Sequence, residues 1–327
     1  MIQPARPRVH RAPGGATVLE ETVGLELSMT EITDDLLSPF PDLLGTGPKE
    51  PFRYCLNTST LRGHNLSLSE LVDIAAGAGY EAIEPWIDEI EKFAAEGGDL
   101  RDLKSRINDL GITVESGIGF FEWIVADEDR RKKGFEDARH AMGLLARLGG
   151  KRVAAPPWGA HGADAPPVNL LAAVDYYRDL CNLGEQIGVA PQLEVWGFSK
   201  NLSRMGEAAL ILAECDHPDA CILADVYHLY KGGSPVGSLG MFNGDMFKVF
   251  HVNDYPAIAP ETIKDADRVF PGDGIAPLTS ILRNLRHIGF EGVLSLELFN
   301  EDYYKQEPLT VAREGREKLR DVIMRAL

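Results

Sequence analysis

The chain has 327 residues, 44% of them hydrophobic and 25% charged, which are the proportions of an ordinary globular protein. Its net charge of -17 argues against a nucleic-acid binder, which needs a basic surface to displace counterions, and no apolar run reaches the roughly 18 residues of a membrane span. Four scattered cysteines (Cys55, Cys181, Cys215 and Cys221), with no Cys-x-x-Cys pair, point to a reducing cytoplasm.

Residues 1–50 differ in composition from the rest of the chain. Arg6, Arg8 and Arg11 lie among Pro4, Pro7 and Pro13, and an acidic stretch from Glu20 to Asp35 comes next. No apolar segment follows the arginines, so a signal peptide is not indicated. This stretch reads as an N-terminal extension, and residues 51–327 as one catalytic domain. Within that domain residues 52–57 form an apolar run of strand length. Ser67-Leu-Ser-Glu70 is a capping-box pattern opening a helix up to Gly77. Residues 82–84 are a second strand, 100–110 a helix and 112–117 a third strand. A long helix over about 128–148 stops at Gly149, and 152–155 is the fourth strand. A helix over 169–187 leads to a fifth strand from Pro191. A helix over 204–215 leads to the sixth strand, 221–225. A weak helical pattern over 238–246 precedes the seventh strand, 248–253. A helix over 276–288, an eighth strand over 292–298 and a final amphipathic helix over 309–325 complete the pattern.

Eight strand–helix units in alternation over about 275 residues predict an α/β fold, a (β/α)8 barrel. A doubly wound sheet is the alternative. It usually carries a Gly-rich turn after its first strand, and Asn57-Thr-Ser-Thr-Leu-Arg-Gly63 has none.

Active sites of such barrels lie at the carboxyl ends of the strands. Strands five to eight end in Glu194, Asp225, His251 and Glu297. Three carboxylates and an imidazole suit one divalent metal ion, Mn2+ first and Mg2+, Co2+ or Zn2+ next. Each residue alone reads more readily as an ion-pair partner or a structural histidine. Their coincidence on four successive strands favours a metal centre. Trp86, Trp158 and Trp196 follow strands and can wall a sugar-sized pocket, although a core role suits them equally. Lys231 and Lys305 could meet a phosphate, but no phosphate-binding nest is recognisable.

This pattern resembles the xylose-isomerase-like sugar isomerase and epimerase superfamily. Within it, Cys55-Leu-Asn-Thr-Ser-Thr-Leu61, Asp225-x-x-His228, Asp267-Arg268-Val-Phe-Pro-Gly-Asp-Gly274 and Ser295-Leu-Glu297 through Lys305 are similar to inosose isomerases. The resemblance covers about residues 52–327 and leaves residues 1–50 without a counterpart. It implies that Glu194, Asp225, His251 and Glu297 hold the metal, and that Glu194 and Glu297 are the catalytic pair, moving a proton between adjacent carbons of an enediolate. It implies that His228 and Arg268 contact substrate. Glu84 and Trp158 are added as substrate-binding residues, with a supporting place behind the ligands or a buried ion pair as the alternatives for Glu84. The expected substrate is a small sugar or cyclitol, and the expected assembly a homodimer or homotetramer. An inosose dehydratase-type lyase on the same site is the alternative function. A multi-metal nuclease is disfavoured by the acidic charge, and a non-catalytic barrel by the intact ligand set.

Overall fold

The computed structural model describes residues 50–327. The expected extension, residues 1–50, lies outside the described residues except for Glu50, whose carboxylate accepts from Arg320 Nε at 2.7 Å. In chain order the elements are β1 (Arg53–Asn57), α1 (Leu68–Gly77), β2 (Ala82–Glu84), α2 (Ile87–Ala95), α3 (Leu100–Asp109), β3 (Thr113–Val114), α4 (Glu128–Leu148), β4 (Arg152–Ala155), α5 (Leu170–Ile187), β5 (Ala190–Glu194), α6 (Met205–Cys215), β6 (Cys221–Asp225), α7 (Val226–Gly232), β7 (Phe247–Val252), α8 (Leu278–His287), β8 (Val293–Leu296) and α9 (Pro308–Ala326). The capping box opens α1 as the sequence predicts: Ser67 N donates to Glu70 Oε2 at 2.8 Å, and Ser67 Oγ accepts from Glu70 N. Among the described residues no helix is long and apolar enough to cross a membrane.

The strands pair in parallel in the order β3-β2-β1-β8-β7-β6-β5-β4. The seam between β3 and β4 closes just past the short third strand. Gly117 N donates to Arg152 O at 3.1 Å, and Ala154 N donates to Gly117 O at 2.9 Å. On its other side this segment pairs with the end of β2, Ile118 N donating to Pro85 O at 3.0 Å. The result is the expected (β/α)8 barrel. Gly117 is needed at the seam because a Cβ there would stand 2.6 Å from Leu145 Cδ2 and 3.1 Å from Pro85 O.

Four local expectations change. The third strand is two residues long instead of six: after Glu115, whose N donates to Ile83 O at 3.3 Å, the chain crosses the seam through isolated hydrogen bonds at Gly117 and Ile118. The helix expected over 238–246 is two 3-10 turns, Val236–Met241 and Gly244–Met246, in a segment with three glycines where the helical state is costly. Two helices, α2 and α7, are present where none was expected.

The core has two layers. A large apolar layer lies between helices and sheet. A small one, Cys55, Ala82, Ile118, Ala154, Leu223, Val249 and Val293, fills the barrel interior. Strand side chains alternate between faces, so residues two further on point the same way. Two residues beyond Cys55, Ala82, Leu223 and Val249 stand Asn57, Glu84, Asp225 and His251, and four beyond Val293 stands Glu297. The interior therefore turns from apolar to ionisable at its carboxyl end.

Candidate metal and active site

Asp225, His251 and Glu297 each bring one ligand atom to within 4.8 Å of the other two, and all three residues are buried. Adjacent strands set this spacing: Asp225 lies opposite His251 in the β6–β7 ladder, and His251 opposite Ser295 in the β7–β8 ladder. His251 Nε2 is bound to Glu84 Oε2 at 2.8 Å. That leaves Nδ1 facing Glu297 Oε2 at 3.2 Å and Asp225 Oδ2 at 3.9 Å, without a hydrogen-bond partner. A carboxylate on the far nitrogen fixes ring orientation, as it does for metal-binding histidines. Burial opposes protonation of His251, but the Glu297 and Glu84 carboxylates outweigh it and hold the imidazole well above its usual range.

Glu194, the fourth expected ligand, is not part of that convergent triad. It lines the same cavity, 4% exposed, and its Oε2 has no partner. Burial, reinforced by the nearby Glu297 and Asp225 charges, pushes its pKa up to about 8 against the pull of His251. An imidazole nitrogen and buried carboxylate oxygens without full hydrogen bonding are the donor set that a divalent cation of borderline or hard character takes. The donor types present at Asp225, His251 and Glu297 therefore fit a metal centre.

Asp225 serves two structures at once. Its Oδ1 accepts from His228 N at 2.8 Å and caps α7, while its Oδ2 faces the site and accepts from Asn253 Nδ2 at 2.9 Å. The cap carries His228 into the cavity wall, 3% exposed with Nδ1 unpartnered. Burial, with Arg268 adding to it, pulls the pKa of His228 down to about 4. Arg268 is 1% exposed. Its Nη1 donates to Glu297 Oε2 at 2.7 Å and Asp225 Oδ2 at 3.2 Å, and its Nη2 to Asp265 at 2.5 Å. Tyr227 and Phe299 clamp its guanidinium at 4.3 and 5.0 Å from their ring centres.

Two residues expected to bind substrate lie outside the cavity lining. Glu84 is fully buried behind His251, accepting from its Nε2, from Asn57 Nδ2 at 3.0 Å and from Ser295 Oγ at 2.9 Å. It orients the imidazole and has no surface in the cavity. Trp158 stands one layer out, stacked on His161 at 4.9 Å and packed on Phe120 at 4.9 Å. The cavity, about 250 Å³, is walled instead by Trp86, Phe120, Trp196, Phe198 and Phe299 around Glu194, His228, Asp265, Arg268 and Glu297.

The sequence reading overlooked Asn57, Asn253 and the three phenylalanines. Asn57 Nδ2 donates to Glu84 and, at 3.1 Å, to Glu297 Oε1, while its Oδ1 accepts from Trp86 Nε1 at 3.0 Å. The signal that could have found it is its inward register two residues past Cys55.

A parallel barrel with an imidazole and several carboxylates gathered at the carboxyl ends of its strands has its ionisable groups where (β/α)8 enzymes place their active sites. The chain belongs to the Xylose isomerase-like TIM barrel family, whose model matches residues 72–322. Inosose isomerase of Bacillus velezensis is 25% identical over 81% of this chain and 96% of its own. Fructoselysine 3-epimerase of Escherichia coli O157:H7 is 24% identical over 76% and 91%. A 3-dehydroshikimate dehydratase of Pseudomonas putida is 24% identical over 77% of this chain but 39% of its own. The crystal structure of the IolI protein with a bound zinc atom superposes with a TM-score of 0.77 at 23% identity, covering 84% of this chain and 99% of that one, which shows a shared fold. Relatives of the chain are thus isomerases, epimerases and dehydratases, and the chain is of an enzyme family.

Proposed function

We propose that the protein is a divalent-metal-dependent isomerase or epimerase of an uncharged keto-polyol or ketose, with an inosose-like cyclitol as the first choice of substrate. The observation that carries this reading is the presence of two buried carboxylates, Glu194 and Glu297, on the wall of one sugar-sized cavity beside the ligand triad. A divalent ion held by Glu194, Asp225, His251 and Glu297, Mn2+ in first place, supplies a Lewis acid that acidifies the C–H next to a carbonyl. Glu194 and Glu297 then exchange the proton. The two carboxylates stand in opposite environments: burial and the neighbouring acids raise Glu194 to about 8 before a cation is bound. Burial acts against ionisation of Glu297, but His251 and Arg268 outweigh it and lower its pKa, and two carboxylates in different surroundings are what an acid/base pair needs. His228 presents an imidazole to a substrate oxygen, and the aromatic wall packs on C–H faces of the ring.

Arg268 is the one cation among the cavity-lining residues, and it already serves three carboxylates. This pairing favours an uncharged substrate over a carboxylate such as 3-dehydroshikimate. A dehydratase on the same α-proton is the second reading, supported by the dehydratase relative. An enone product absorbing in the ultraviolet would identify it. The four cysteines, buried and unpaired, support a reducing cytoplasm as the compartment.

The test is deuterium exchange of the substrate α-proton in a panel of inososes and free ketoses, with Mn2+, Co2+, Mg2+ and Zn2+ in turn. Exchange is expected in the native chain and absent from a folded Glu297→Gln variant. Native-like exchange in that variant would sink the acid/base assignment.

A further inference from the structure

Arg268 has no place in a metal shell, yet its Nη1 lies on the two oxygens that most plainly belong to one. Asp225 Oδ2 and Glu297 Oε2 face His251 Nδ1, and the same two atoms accept from Nη1 at 3.2 and 2.7 Å. The guanidinium is held there from behind. Asp265 takes Nη2, Tyr227 and Phe299 clamp the plane, and the residue is 1% exposed. A cation ligated by Glu297 Oε2 at about 2.0–2.2 Å would stand within about 5 Å of Nη1, the sum of the two bond lengths. Like charges that close, in a buried site, repel strongly. His251 Nδ1 and Glu194 Oε2 remain without hydrogen-bond partners, so the guanidinium offsets part of the acidic charge without satisfying the site.

We propose that Arg268 is a built-in competitor for the metal: it pairs Asp225 with Glu297 in the metal-free chain and must withdraw Nη1 from them when a divalent cation loads. This rests on the proposed metal centre and adds to it. Arg268 then weakens cation affinity while reducing the repulsion between Asp225 and Glu297 before a cation is bound, which lets the barrel fold before it is loaded.

The experiment compares the full chain with Arg268→Ala, both stripped with a chelator and titrated with Mn2+ against a fluorescent chelator. The variant is expected to bind Mn2+ at least about tenfold more tightly, a lower bound for removing one buried like charge. Millimolar methylguanidinium is expected to restore weak binding in the variant and leave the native chain unaffected. Equal or weaker binding by the folded variant, or no effect of methylguanidinium on it, overturns the inference. Absence of Mn2+ binding in both proteins overturns the metal reading and the inference with it. Should the variant not fold without metal, the native chain alone decides by NMR. The Arg268 Nη protons, protected while held by two carboxylates, are expected to exchange faster once one equivalent of Zn2+ is added. Unchanged protection overturns the inference.

Discussion

His251 divides its two nitrogens between Glu84 and the site, and this division explains what could be read at the level of single residues. Glu84 and Asp225 both stand two residues past an inward apolar side chain at a strand end. Spacing makes them equivalent, so the sequence marks both as facing the barrel axis. What separates them is a contact across 167 residues, from Glu84 to His251, which no local pattern contains. The same long-range pairing makes the titration legible only in the structure. Before a cation is bound, Glu194 is raised to about 8 and His251 above its usual range, so both hold a proton more firmly than the free groups do. A cation requires the deprotonated form of each ligand. Loading at pH 7 is therefore expected to release protons, Glu194 contributing most of one. Above about pH 8 the Glu194 share disappears and the His251 share remains. Calorimetric titrations in buffers of different ionisation enthalpy measure the count, and a buffer-independent heat would contradict it.

At the level of elements, the long helices were readable because their apolar spacing and caps agree, as in α4 and α5, which end at Gly149 and Gly188 in the left-handed conformation. The short α7 was not. Val226, Tyr227, His228 and Leu229 are all buried, so the segment lacks the polar face that signals a helix, and it follows the apolar β6 without a break. Its start is set by Asp225, which looks like the strand's last residue and acts as the helix cap. Its position is set by Gly197, where a Cβ would stand 2.4 Å from His228 O and 2.5 Å from Gly232 N, both backbone atoms with no freedom to yield. Gly197→Ala is expected to push α7 outward at a cost of about 1–3 kcal/mol, measured by urea unfolding. Native stability in that variant would show that α7 has room to spare.

Across the whole molecule, the alternation of eight strand–helix units was legible and so was the end of the barrel that holds the chemistry, because both follow from connectivity. The weak point of closure was hidden, since residues 112–117 read as one normal strand and only Thr113–Val114 form it. Glu115 bridges the opening at the amino end, accepting from Arg53 of β1 at 2.9 Å and from Arg152 of β4 at 3.3 Å. Burial pushes its pKa up, but the two arginines and Thr113 outweigh it, and the net shift is downward. A carboxyl depressed in the folded state stabilises above its unfolded pKa, and that contribution fades as pH falls through the folded value. Glu115→Gln is expected to lower Tm by a few degrees at pH 7, with the difference from the native chain shrinking below about pH 4. A difference that grows in acid would refute the bridge.

The aromatic wall has an optical consequence. Of the four tryptophans in the chain, Trp86 and Trp196 line the cavity and Trp158 packs on its rim, while Trp123 is fully buried with its indole N–H on Pro156 O. Indole emission responds to polarity and to nearby paramagnetic ions. The protein thus carries its own fluorophores at the mouth of the barrel and a shielded one as internal reference, so that filling of the site, by Mn2+ or by a ring-shaped polyol, can be followed without any label.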